Sequence, residues 1–180
     1  MNEAGPTAFD AGPSGPSPAA EIPFIDRLRR CVDERRGDGQ GLALLLVDCG
    51  VIGRIDALWG YQVGDAVRAR IVSALRAEVL RPGDHIGEFG RDDLACVLSV
   101  IESPQMALLA AEKLLRTMNA PLWLGEEEIY ASPSIGIAAL RGQGGNAESL
   151  MRQAKSACVA ASRLAGHIAL YDAGQDSQAS

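Results

Sequence analysis

The 180-residue chain has no apolar run near the ~20 residues that a bilayer-spanning helix requires, and Glu3 and Asp10 stand where a secretory leader carries positive charge. A cytoplasmic protein with no membrane partner is therefore expected. Paired cysteines are missing too. Cys31, Cys49, Cys96 and Cys158 are far apart and form no C-x-x-C, which argues against a zinc module or a secreted disulfide framework and predicts buried, reduced thiols. Positive charge is short: 17 Lys and Arg against 23 Asp and Glu give a net charge of −6, so the chain has no general attraction for nucleic acid and must meet any phosphate locally. Lysine is scarcer still, since Lys113 and Lys155 are the only two.

What is present suits one compact domain. Hydrophobic residues make up 47% and charged residues 22% of the chain, and a domain near 150 residues buries about 68–70% of its unfolded surface, so no covalent or metal staple is needed. Residues 1–20, rich in Pro, Gly, Ser and Ala, cannot offset the entropy of ordering and are expected to be a disordered tail. The domain is expected over residues 21–174, with a flexible end over 175–180.

Phe24, Leu28, Cys31 and Val32 recur at helical spacing up to Gly37-Asp38-Gly39, and the continuous apolar run Leu42 to Val47 predicts a strand buried on both faces. Gly64-Asp65 is expected to open the next helix, with Asp65 as its N-cap, Val67, Ile71, Leu75 and Val79 on one face and Arg81-Pro82-Gly83 at its end. A hairpin follows, His85 to Phe89 and Leu94 to Ile101, joined by Gly90-Arg91-Asp92-Asp93. Ser103-Pro104 starts a further helix, residues 121–140 suggest a second hairpin turning near Gly125, Asn146 caps a last helix that stops near Gly166, and Ile168 to Tyr171 closes the domain. The order predicts an α+β domain with helices on a largely antiparallel sheet. Trp59 and Trp123 are expected as core or edge anchors, and the lone His85 and His167 as structural residues.

The segment Leu42-Ala-Leu-Leu-Leu-Val-Asp48, then Ile52, Ile55, Gly60 and Gly64-Asp65, resembles the opening of a GGDEF domain, the diguanylate cyclase family. Gly90-Arg91-Asp92-Asp93-Leu94 stands where that family has its G-G-D/E-E-F hairpin, and Ser134-Ile-Gly-Ile-Ala138 looks like its S-I-G-I-A strand. The resemblance implies a nucleotidyl-cyclase-like, ferredoxin-like palm: a central, mostly antiparallel sheet flanked by helices. It also implies a bacterial chemistry in which two facing domains join two GTP molecules into cyclic di-GMP, divalent ions stabilising the charge that develops as a 3′-hydroxyl attacks an α-phosphate.

Residue by residue, the resemblance implies Mg²⁺ ligands at Asp48 and Asp92, a vestigial catalytic carboxylate at Asp93 where the family has Glu, and guanine-reading positions at Asp56, where the family has Asn, and Asp65. It implies a separate product site for cyclic di-GMP at Arg81 and Asp84. Purely structural readings stay open beside these: Asp48 as a turn cap, the Asp92-Asp93 pair as hairpin decoration, Arg81 to Asp84 as a helix end and turn. The family's triphosphate-binding cations are lost. Lysine is replaced by Gly53 and by Ser162, and arginine by Gly166. At about 1.5–3 kcal/mol per charged hydrogen bond, three losses would cost roughly 4–9 kcal/mol if additive. Arg91 replaces a glycine of the hairpin, at about 1–2 kcal/mol if the turn is left-handed, and the family's D-x-L-T-G-L-x-N-R turn has no counterpart in Ala19 to Phe24.

The expected function is a catalytically inactive GGDEF domain that responds to cyclic di-GMP or binds other signalling proteins, with a homodimer implied by the resemblance. An active Mg²⁺-dependent diguanylate cyclase and a nucleotide-independent scaffold remain the alternatives.

Overall fold

The structure, a computed structural model, describes residues 23–90, 92–141 and 144–172. The expected tails, residues 1–20 and 175–180, lie outside the described residues. A 15-residue helix, α1 (Phe24–Asp38), turns Leu28, Cys31 and Val32 inward. It leads into β1 (Gly41–Asp48), whose first seven residues are all buried, as a strand covered on both faces must be. Then come α2 (Val51–Trp59), α3 (Tyr61–Glu78), β2 (His85–Phe89), β3 (Asp93–Ile101) and α4 (Pro104–Met118). The chain closes with β4 (Leu122–Leu124), β5 (Glu127–Ile129), β6 (Ser134–Leu140), α5 (Ala147–Ala161) and β7 (Ile168–Leu170).

Three expectations need correction. The sequence reading has no helix between β1 and the helix at Gly64, yet α2 is there, burying Val51, Ile52 and Ile55. Its apolar spacing is helical, but Gly50 and Gly53 depress local helix propensity and hide it. Next, α3 begins at Tyr61, so Asp65 lies inside its second turn and is not an N-cap. Finally, only β4 and β5 form the expected hairpin, as a separate two-stranded sheet, while β6 runs on into the main sheet. Trp123, on β4, is 56% exposed and anchors no core, whereas Trp59 packs against the core from its rim.

The main sheet has the order β2-β3-β1-β6-β7, antiparallel throughout except for the parallel β6–β7 pair. Side chains alternate across it. Ala43, Leu45 and Val47 join Ile52, Ile55, Leu75 and Leu114 under α2, α3 and α4. Leu42, Leu44 and Leu46 join Leu28, Leu150 and Ala154 under α1 and α5. All four cysteines are free and buried, and burial pushes the Cys96 thiol up to about 12. Among the described residues no helix is long and apolar enough to cross a membrane.

The alanine face of α5 packs on the sheet. Asn146 caps that helix in a capping box with Ser149, whose N–H donates to Asn146 Oδ1 at 2.8 Å. At Gly136 of β6 a Cβ would overlap the backbone of Ala154 and Cys158, so only glycine permits the helix to come this close. Gly136→Ala is expected to destabilise the domain by about 3 kcal/mol through overpacking against backbone that cannot move aside. Urea unfolding reads this as a lower midpoint at unchanged slope; an unchanged midpoint would show that α5 does not lie where described.

Candidate functional site

The register of the sheet builds an acidic corner. Asp48, the last residue of β1, is the Cα partner of Asp93 on β3 and of Ser134 on β6. Directly paired residues have Cβ atoms about 4.5–5.5 Å apart on one face. Asp48 and Asp93 therefore face the α5 side, in step with Leu46 and Ala95. Asp92 comes from the turn before β3, where its carbonyl accepts the Cys49 N–H at 2.8 Å. Its carboxylate leans over α2, with Oδ2 3.4 Å from where a Cβ on Gly53 would stand. Its Oδ1 is buried with no hydrogen-bond partner among the described residues.

Charge repulsion accompanies this crowding. Burial first, then Asp48 and Asp92, hold the Asp93 carboxyl above the usual carboxylate range, and Lys155 of α5 opposes the shift. Burial and the same acids, Asp48 and Asp93, drive the Cys49 thiol far above its ordinary value, leaving it inert as a nucleophile. Lys155 is the residue whose place the sequence reading did not anticipate. The available signal was its position seven residues, two helical turns, before Ser162 on the same helix.

Asp56 and Asp65, the two positions expected to read guanine, lie on neighbouring helices. Asp56 of α2 lays its carboxylate against the bare Cα of Gly64 in α3, a contact that any Cβ would block. One position further along α3, Asp65 accepts from Arg68 Nη1 at 3.2 Å. The structure also places the three positions where the resemblance leads one to expect cations. Gly53 offers no side chain. Ser162, at the end of α5, spends its hydroxyl on the Val159 carbonyl at 2.8 Å, and Gly166 has open space around its Cα. Arg91 lies outside the described residues.

Arg81 and Asp84 sit apart from this corner, at the turn between α3 and β2. Asp84 Oδ2 accepts the Arg81 N–H and Oδ1 the Ser99 N–H, both at 2.9 Å, and Ser99 Oγ donates to the Gly83 carbonyl. Asp84 thus holds the turn and pins it to β3. The Arg81 guanidinium is exposed. His167 has its ring Nδ1 3.5 Å from Ser134 Oγ, and its carbonyl accepts the Ile135 N–H.

The family model described as diguanylate cyclase, GGDEF domain, matches residues 22–166. The chain belongs to the GGDEF family. It is 30% identical over 132 residues to the bifunctional diguanylate cyclase/cyclic di-GMP phosphodiesterase MucR of Pseudomonas aeruginosa, covering 73% of this chain but 19% of that protein. It is 29% identical over 143 residues to the diguanylate cyclase TpbB of the same organism, covering 79% of this chain and 33% of TpbB. The chain therefore spans a third or less of the length of these curated relatives. The crystal structure of the TpbB GGDEF domain superposes with a TM-score of 0.73 at 28% identity, over 83% of this chain and 93% of that one. The GGDEF domain of DgcB from Caulobacter crescentus, solved in complex with c-di-GMP, shares the fold at a TM-score of 0.73 and 22% identity, over 83% of this chain and 86% of that one.

Because folded GGDEF chain binds the Asp93 proton more tightly than unfolded chain does, raising the pH through the Asp93 titration costs stability, and the penalty persists above it. Asp93→Asn is expected to stabilise the domain at neutral pH, by less than about 1 kcal/mol after solvent screening. The gain should fade once the pH falls below the ordinary aspartate range. Thermal melts across pH in a chelating buffer test this; destabilisation by the variant at neutral pH would contradict the described crowding.

Proposed function

We propose that this GGDEF domain does not turn over GTP and serves as a cyclic di-GMP-responsive regulatory or protein-interaction module in bacterial second-messenger signalling. The observation that carries the reading is at Gly53. Where the family resemblance implies a lysine reaching for phosphate, the Asp92 carboxylate faces a residue without a side chain. Ser162 and Gly166 supply no charge at the other two positions. A triphosphate entering the corner would meet Asp48, Asp92 and Asp93, with Lys155 as the one cation acting on Asp93 among the described residues, and close approach of like charges costs binding energy.

The residues present do fit Mg²⁺. A buried carboxylate oxygen without a hydrogen-bond partner among the described residues, on Asp92, and a second carboxylate at a strand end, on Asp48, suit a hard cation that takes one or two carboxylates and completes its shell with water and phosphate oxygens. Among the described residues no group of three or more potential ligands assembles, so the protein alone offers an incomplete shell. When bound, such an ion supplies positive charge to a phosphoryl group. Asp48 and Asp92 would hold it, and Asp56 and Asp65 would accept from the N–H edge of guanine.

Cyclic di-GMP binding is assigned to the α3–β2 turn, where Asp84 fixes the backbone and Arg81 presents a guanidinium able to fork onto a phosphate or onto guanine O6 and N7. The DgcB complex supports a ligand of this kind on this fold. Other signalling proteins and a second copy of the domain are the proposed macromolecular partners. One observation favours a second reading, a slow cyclase: Lys155 offers the acidic corner a positive charge from α5.

Calorimetry with cyclic di-GMP is expected to show binding by the wild type and a loss of about ten- to a hundredfold in Arg81→Ala. Negligible heat from both proteins would remove the sensor reading. Incubation with GTP and Mg²⁺ or Mn²⁺ is expected to yield no dinucleotide, and product made by the wild type but not by Lys155→Met would establish the cyclase reading instead.

A further inference from the structure

Antiparallel register splits the small β4–β5 ribbon into two faces of opposite character. Leu122 pairs with Ile129, and both, with Leu124, pack against the core. Trp123 pairs with Glu128 on the other face. From just beyond β5 the Tyr130 hydroxyl donates to Glu128 Oε1 at 2.9 Å, which brings its ring to that same outer face and fixes the carboxylate there. Trp123 is 56% and Tyr130 52% exposed. Glu126 and Glu127, at the turn, are exposed as well, and none of these three consecutive glutamates forms an ion pair among the described residues.

Beside the ribbon, and sharing Leu122 with it, a groove of about 520 Å³ runs between α3 and α4. Its lining combines apolar Ile71 and Met118 with the cations Arg70, Lys113 and Arg116. Glu78, the one carboxylate of the groove, accepts from Thr117 Oγ1 at 3.0 Å, whereas the three cations form no ion pair among the described residues. Aromatic rings around a fixed carboxylate match such a groove chemically. The rings bury apolar area, and guanidiniums stack on ring faces while pairing with carboxylates.

Within one chain the two patches are not joined by any hydrogen bond or ion pair among the described residues. Adjacent patches of opposite charge become mutually complementary when a second copy is turned by a two-fold rotation about their boundary. Each copy then lays its ribbon on the other's groove, and the contact closes as a dimer instead of growing into a filament. We propose that the β4–β5 ribbon and the α3–α4 groove form one self-complementary interface, in which Trp123 of each copy enters the groove of the other and the ribbon glutamates meet the Arg70 and Arg116 guanidiniums. This inference deepens the proposal of a second copy as partner and is independent of cyclic di-GMP binding. Neither the acidic corner nor the Arg81–Asp84 turn takes part, so association needs no nucleotide and no metal. Trp123 supplies the apolar centre of the contact, and the charges form its rim, where attraction is screened by salt.

The test is sedimentation velocity and light scattering on the nucleotide-free chain at low and high salt. A dimer at low salt is expected, with a dissociation constant that rises about tenfold at high salt. Trp123→Ala should weaken it by about ten- to a hundredfold. Glu126→Arg/Glu128→Arg alone and Arg70→Glu/Arg116→Glu alone should each be monomeric. An equimolar mixture of these two variants should associate again, because every ribbon then faces a groove of opposite charge. Circular dichroism establishes that each variant is folded. A monomeric wild type, a dimer that survives either charge reversal, or folded variants whose mixture stays monomeric overturns the proposal. A dimer that forms only when cyclic di-GMP is added also overturns it, while upholding the ligand reading. A salt-sensitive dimer with mixture rescue and no response to cyclic di-GMP upholds the interface and removes that reading.

Discussion

Burial of β1 from Gly41 to Val47, ending at Asp48, is the constraint on which the rest of the structure depends. Strands flank it on both edges and helices cover both faces, and an unpaired carboxylate cannot follow into that environment without a cost of several kcal/mol. Burial therefore stops where the charge begins. The register then places Asp93 and Ser134 opposite Asp48, and the helix that follows within three residues brings Gly53, Asp56 and Asp92 to the same end of the sheet. Asp48 and Asp93 sit on strands and Asp56 on a helix, while Asp92, in the turn before β3, is held by the Cys49 N–H donated to its carbonyl.

Such a corner is only half of a nucleotide site. Carboxylates attract a divalent ion, whose shell a nucleotide's phosphates would complete, but the phosphates also need cations of their own. Here those positions carry a glycine, a serine whose hydroxyl is turned back to its own helix, and a second glycine. Among the described residues Lys155 is the cation that acts on Asp93.

Much of this was legible in the sequence because the signals were local. The Leu42 to Val47 run, the Asn146 cap and the spacing of Phe24, Leu28, Cys31 and Val32 each specify their element without help from the rest of the chain. Where the reading failed, tertiary contact supplied what local preference withheld. Helix α2 persists across Gly53 because Val51, Ile52 and Ile55 are buried against the sheet. Asp65, a natural cap by residue type, is overridden because α3 starts at Tyr61. The acidic residues of the corner were visible one by one, whereas their division between the α5 side and the α2 side follows from strand register.

Missing cations, and not a misplaced acidic corner, are proposed to keep this domain from holding GTP. Restoring the charge tests it most directly: a non-hydrolysable GTP analogue titrated with Mg²⁺ into the wild type and into Gly53→Lys/Ser162→Lys. The account predicts negligible binding by the wild type and a gain of at least about a hundredfold in the double variant. Tight binding by the wild type, unchanged by the two added lysines, would contradict it.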